Sequence, residues 1–257
     1  MKLFTLIIIL LISNFIILNA QTIFTPNEYL EYEVSFIGIK LGKITVTSIG
    51  TDTISSGKVC FNAKAKMDSY NGIPFLDLHA VYNSWMDRSI AFSHFFIGKV
   101  KWDEGWDYNK ITFDYEKKKI TNRHWLNDSM ITNDVFDLTK KINDGCSLFF
   151  FARQYANMKK TVLVPTFIDG IFNTKINFRG KGEPIKIDAI NYPAKTLYLD
   201  GTTDWKGIYG LTGSFEGWFT DDEARIPLKA YMNVYVGKVL IELTKWERKG
   251  WTPPKAK

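Results

Sequence analysis

The chain has 257 residues, a formal net charge of +6, two cysteines and three histidines. The length suits one large β-rich domain, the charge is ordinary for a soluble one, and the cysteine and histidine spacings fit no zinc site. Lys117-Lys118-Lys119 and Lys140-Lys141 are short, separate runs without interleaved aromatics, so nucleic acid is not an expected partner.

Lys2 precedes sixteen residues, Leu3 to Leu18, interrupted only by Thr5, Ser13 and Asn14; Asn19-Ala20 and then Gln21 follow. A short basic region, an apolar core and a small residue before the cut describe a secretory signal peptide over residues 1–20. The apolar run falls short of the ~20 residues of a spanning helix. No cysteine follows Ala20 to accept a lipid, and no later segment is long and apolar enough to cross a membrane. The expected location is therefore exported and periplasmic.

Short strand patterns punctuated by turns fill the rest. Tyr29 to Phe36 and Lys43 to Ile49 predict a hairpin across Gly38 and Gly42. Lys58 to Ser69 and Phe75 to Met86 flank Asn71-Gly72, a turn dipeptide. Ile90 to Trp102, Trp106 to Tyr115 and Lys119 to Trp125 continue the meander. The pattern then breaks once. Asp144 can cap a short helix opened by Cys146, with Leu148, Phe149, Phe151, Ala152, Tyr155 and Ala156 near helical spacing. Strands resume at Thr161 to Phe167, Phe172 to Phe178, Pro184 to Ala189 and Ala194 to Thr203.

Near the C-terminus a strand ending in Trp218-Phe219 meets a polar knuckle, Asp221-Asp222-Glu223-Ala224-Arg225. Beyond it Ile226, Leu228, Ala230, Met232, Val234 and Val236 fall at every second position, the period of a strand with one buried face. Gly237-Lys238 predicts a two-residue turn, and Val239, Ile241 and Leu243 a return strand. Residues 251–257, with Pro253-Pro254, read as a flexible tail. The fold class is mainly all-β: a large curved antiparallel sheet, as a partial barrel or two packed sheets, with one short internal α-helix. A single β-rich domain over 21–250 accommodates it.

Aromatic content is the unusual feature, with eight Trp, twelve Tyr and nineteen Phe. At 3.6 residues per turn, Phe149, Phe150 and Phe151 cannot all face one side of a helix. These three, with Trp102, Trp106 and Trp218, are the candidate lining of an apolar cleft; filling of a wide β core is the competing reading. Asp221, Asp222 and Arg225 read as a structural turn in which Arg225 pairs with one of the aspartates, against the competing use in acid/base or cation chemistry. His79, His94 and His124 stand on three separate predicted strands, and His79 shares an alternation face with Asp77 and Asn83 that is either solvent or a polar pocket. Whether Cys60 and Cys146 pair is open. No nucleophile, phosphate-loop or cofactor motif is present, so no catalytic residue, metal ligand or cofactor is assigned.

Several motifs together resemble a known family. Phe219-Thr220-Asp221-Asp222 leading to Arg225, Pro227 and Leu228, with Val236-Gly237-Lys238-Val239 and Glu242-Leu243, is similar to the C-terminal end of DUF3108, a family of exported bacterial proteins of unknown function. Tyr32-Glu33-Val34-Ser35 with Gly38 to Gly42 resembles its opening hairpin, Asp144 to Arg153 its single helix, and Pro193 to Leu197 a late strand. The resemblance implies no catalytic residue and no substrate. The expected function is a non-catalytic binding or carrier module of the cell envelope for an apolar small molecule, lipid or other amphiphile. The alternatives are an assembly protein that docks another envelope protein through strand edges or aromatic tips, and third, a hydrolase-type enzyme.

Overall fold

The computed structural model describes residues 23–74, 76–102, 105–207, 212–234 and 236–257. The expected signal segment, 1–20, lies outside the described residues. Fifteen strands form one sheet: β1 (Glu28–Phe36), β2 (Ile39–Thr53), β3 (Val59–Ser69), β4 (His79–Met86), β5 (Ser93–Trp102), β6 (Gly105–Asp114), β7 (Lys119–Leu126), β8 (Ser129–Asp137), β9 (Asn143–Asp144), β10 (Thr161–Phe167), β11 (Ile171–Lys181), β12 (Thr196–Thr203), β13 (Gly213–Thr220), β14 (Pro227–Asn233) and β15 (Lys238–Glu247). The one described helix, α1 (Ser147–Tyr155), separates β9 from β10.

Strand order explains the shape. β1 pairs antiparallel with β15, so the first and last strands meet in mid-sheet. From there β2 to β8 run outward on one wing, and β14 back to β9 on the other. Alternation drives each strand onto the sheet: in β11, Thr174, Ile176 and Phe178 are buried while Lys175, Asn177 and Arg179 point away. Seven register shifts, at Glu31/Tyr32, Val34/Ser35, Ser48/Gly50, Trp85/Met86, His124/Trp125, Phe178/Gly180 and Trp218/Phe219, bend the strands.

The sheet therefore rolls up without closing, because β8 and β9 are not hydrogen-bonded to each other. Side chains bridge the gap instead. Phe113 of β6 and Phe136 of β8 meet Phe167 of β10 with ring centroids 6.0 and 5.2 Å apart. The curved sheet with one internal helix is thus observed, antiparallel except for the β9–β10 pair, which is parallel; it is a partial barrel rather than two packed sheets.

Cys146 holds the N-cap position without a side-chain bond, and Asp144, the last residue of β9, reaches the helix start from there, its carboxylate accepting from the Ser147 amide at 2.7 Å. It also accepts from the Ser84 hydroxyl at 2.6 Å, which pins the helix start to β4. Burial pushes the Asp144 carboxyl up, with the hydrogen bonds from Ser84 and Ser93 opposing.

Three sequence expectations are corrected and one strand is added. Pro184 to Ala189 makes only an isolated bridge between Ile185 and Ala194; Pro184 and Pro193 bracket it and lack amide donors. β8 is a full strand that the sequence pattern concealed. The last hairpin does not turn at Gly237-Lys238: Asn233 pairs with Lys238, and the Val234 amide donates to the Gly237 carbonyl. Gly237 closes that loop at φ 79, the left-handed conformation glycine adopts without strain. The expected flexible tail is docked: the Lys195 amide donates to the Pro254 carbonyl at 2.8 Å, the Ala256 amide to Pro193 at 2.9 Å and the Tyr192 hydroxyl to Pro253 at 2.8 Å.

Candidate functional site

The three adjacent phenylalanines diverge, as helical geometry requires, but into two packed clusters. Phe150 is fully buried in the main core, 5.4 Å from the Phe24 ring. Phe149 packs on that core against Tyr32 at 6.3 Å. Phe151 turns the other way and tilts against Tyr155 with ring centroids 4.5 Å apart, beside a second cluster that includes Val164, Ile176, Phe178 and Leu199. The helix is a plug between two cores, and these rings border neither of the two grooves described below.

The indoles lie elsewhere. Trp102 and Trp106 are 42% and 37% exposed at facing ends of β5 and β6. Trp218 lies between Tyr198 and Tyr231 on the outer face of β13, at 5.1 and 6.1 Å. Trp106 borders a groove of about 400 Å³ on the outer face of β3–β6, together with Lys66, Asp68, His79, Val81 and Lys101. Register builds it: Lys66 is opposite Val81, Asp68 opposite His79, and Lys101 opposite Trp106.

The rim of this groove is polar and internally paired. Lys66 Nζ is 2.7 Å from Asp68, His79 Nδ1 is 2.9 Å from Asp68, and His79 Nε2 is 3.2 Å from Asp77. Lys101 Nζ is 3.3 Å from Asp77. Burial pushes the Asp68 carboxyl up, and the hydrogen bonds from His79 and Lys66 more than reverse this, leaving it below its ordinary value. Between these groups Val81 and Trp106 offer apolar surface, and the Lys99 ammonium sits 4.3 Å from the Trp106 ring centroid. Such a groove suits a ligand with an apolar body and a polar head. Of its residues, the sequence singled out Trp106 and noted the mixed face of His79. Lys66, Asp68, Val81 and Lys101 were missed, because only cross-strand register brings them together.

A second groove of about 260 Å³ lies on the outer face of β11–β15, bordered by Asn177, Asp200, Phe215, Glu216, Tyr231 and Lys238. Its charges are neutralised by neighbours: Asp200 accepts from Arg179 at 2.6 Å, and Lys238 is 3.5 Å from Glu216.

The remaining candidates are structural. The three histidines each meet a different aspartate, His79 with Asp68, His94 with Asp87 at 3.5 Å and His124 with Asp107 at 2.8 Å. Among the described residues no group of three or more metal-binding side chains converges. Cys60 and Cys146 are both free and buried. Burial pushes the Cys60 thiol up to about 11 and Cys146 well above its usual range, the opposite of an activated nucleophile.

At the knuckle, Asp222 does act as a turn carboxylate, accepting from the amides of Ala224 and Arg225 at 3.1 and 3.0 Å. It also accepts from the Trp251 indole at 2.7 Å, and Asp221 pairs with Lys195 at 3.0 Å. The Arg225 side chain corrects the expectation. It forms no ion pair with either aspartate; its guanidinium donates to the carbonyls of Gln154 and Arg153, at 2.6 and 3.3 Å, and caps the helix C-terminus.

Asp144, Arg225 and Arg153, the last bonded to Glu28 of β1 at 2.6 Å, thus hold the helix within the sheet, while Asp222 shapes the knuckle. The family described as "Protein of unknown function (DUF3108)" matches residues 31–244. The chain belongs to DUF3108. No curated protein matches it. Among solved structures, it is similar to a beta-barrel-like protein of domain of unknown function DUF1849 from Brucella abortus. The identity is 10%, the TM-score 0.56, and the match covers 86% of this chain and 96% of that one. A hypothetical protein from Chlamydia trachomatis aligns at 10% identity and TM-score 0.35, covering 93% of this chain and 96% of that one. The first likeness shows the barrel-like fold that this DUF3108 chain shares.

Proposed function

We propose that this DUF3108 chain is an exported, non-catalytic binding module of the cell envelope that holds an amphiphilic ligand in the outer groove of β3–β6. The observation that carries this reading is the groove itself: Val81 and Trp106 provide apolar surface, with Lys66, Asp68, His79 and Lys101 around it. Its volume of about 400 Å³ is that of a small-molecule site. The apolar run of residues 1–20 supports export. The ligand's apolar body would lie along Trp106 and Val81, and its head among the paired charges.

Native mass spectrometry of the protein isolated from its own host tests this. The expected result is an adduct of amphiphile mass that is reduced in a folded Trp106→Ala variant. A bare mass for the parent protein, or an adduct equally retained by the variant, overturns the reading. A second reading, assembly with another envelope protein, is favoured by one observation. β8 ends the sheet with Met130, Ile131 and Val135 more than half exposed, the kind of edge that accepts another strand.

A further inference from the structure

Lysines far apart in the sequence are brought onto one face by strand register. Lys64 lies opposite Asn83, Asn83 opposite Ile97, Ile97 opposite Lys110, and Lys110 opposite Arg123. The next row reads Lys66, Val81, Lys99, Tyr108 and Trp125. A third holds Asp68 beside His79, and Lys101 beside Trp106. These rows carry six cations and one carboxylate on the outer face of five adjacent strands.

Few of those cations are neutralised. Lys66 and Lys101 meet aspartates. Lys99 and Lys110 instead lie 4.3 and 5.5 Å from the ring centroids of Trp106 and Phe95, and the Arg123 guanidinium donates to the Asn133 side-chain carbonyl at 3.3 Å. Lys64, Lys99, Lys110 and Arg123 have no carboxylate partner among the described residues. The other wing differs, since its Lys229, Lys238 and Arg179 pair with Glu242, Glu216 and Asp200.

We infer that the outer face of β3–β7 docks on an anionic lipid surface. Charge complementarity supplies the attraction, because basic residues close to an anionic leaflet each favour binding. Interleaved Ile97, Tyr108, Trp125 and the exposed Trp106 supply the aromatic and aliphatic groups that settle at a headgroup boundary. The surface is also broad: five strands at ~4.8 Å spacing spread these groups over roughly 19 Å of the curved outer face. Single-stranded nucleic acid would need open ring faces for base stacking. Here Lys99 covers Trp106, and Tyr108 and Trp125 tilt against each other at 5.2 Å. The groove opens on this face, but the four unpaired cations do not line it, so docking stands or falls apart from the groove ligand.

The test is co-sedimentation of the full chain, as isolated from its host, with vesicles of phosphatidylcholine alone or with added phosphatidylglycerol. We expect binding at least tenfold tighter to the anionic vesicles, and weakened by salt. The combined variant Lys64→Gln, Lys99→Gln, Lys110→Gln and Arg123→Gln, checked for folding by circular dichroism, should lose that difference. Lys175→Gln with Lys229→Gln, on the other wing, should retain it. Equal binding to both vesicles, or an unchanged preference in the four-site variant, overturns the inference. So does a single-stranded oligonucleotide bound more tightly than anionic vesicles. Loss of vesicle binding with the co-purifying amphiphile retained would show that the face and the groove act separately.

Discussion

Glu28 and Arg153 form a fully buried bidentate ion pair, with guanidinium nitrogens 2.6 and 3.1 Å from the carboxylate, between the first residue of β1 and the helix. Arg248, just beyond β15, donates to the same carboxylate. Arg153 also donates to the Ala224 carbonyl in the knuckle at 3.0 Å. One network therefore ties the first strand, the helix, the knuckle and the C-terminal segment, which are distant in sequence. A buried charge left alone is costly, whereas a satisfied network fixes which segments meet.

Removing one partner should be severe. Arg153→Leu leaves the Glu28 carboxylate buried with Arg248 alone, and we expect a loss of about 3–5 kcal/mol. Urea unfolding measures it. A loss below about 1 kcal/mol would mean that the pair contributes no more than an exposed one.

Acid should act through the same pair. Burial pushes the Glu28 carboxyl up, but Arg153 and Arg248 more than reverse this and hold it below its ordinary 4.5. A lowered folded-state value means that the contribution is fully present above 4.5 and is lost as pH falls through the lower, folded-state value. Melting temperature followed from neutral pH downward should fall in that window for the parent protein. In Glu28→Gln the melting temperature should start lower and show less of this fall. An identical acid profile in the two proteins would contradict the assignment.

Arg225→Ala should cost about 1.5–3 kcal/mol, the range for hydrogen bonds to a charged group, because its guanidinium caps the helix. Asp221→Ala, which removes only the contact with half-exposed Lys195, should cost less than about 1 kcal/mol. Equal losses by chemical denaturation would remove the distinction between the two.

Phe150→Ala should cost about 3–5 kcal/mol, as for a fully buried ring whose site cannot collapse. The variant, if folded, should bind an apolar fluorescent probe no less than the parent does, since the ring is fully buried and does not border the groove. A saturable probe signal in the parent that disappears in this variant would return the binding site to the helix.

Legibility in the sequence followed locality. Strands with one buried face, such as β10 and the hairpin after Arg225, showed their period of two, and the helix showed its change of period. β8 did not, because Ser129–Asp137 is exposed on both sides over most of its length and so carries no alternation. The union of β1 with β15 joins residues some two hundred positions apart, and nothing in either strand specifies its partner. Arg225 was read as a partner for nearby aspartates, since sequence proximity could not reveal the helix end beside it. The basic face was hidden for the same reason: Lys64, Lys110 and Arg123 are neighbours only across strands.

The most direct test of the binding site is photolabelling with an amphiphile that carries a diazirine in its acyl chain, followed by peptide mapping. The account predicts saturable labelling of peptides from β4 and β6, centred on Val81 and Trp106 and competed by unlabelled amphiphile. Saturable labelling confined to the helix peptide, 147–155, or uncompeted labelling spread over the whole chain, would contradict it.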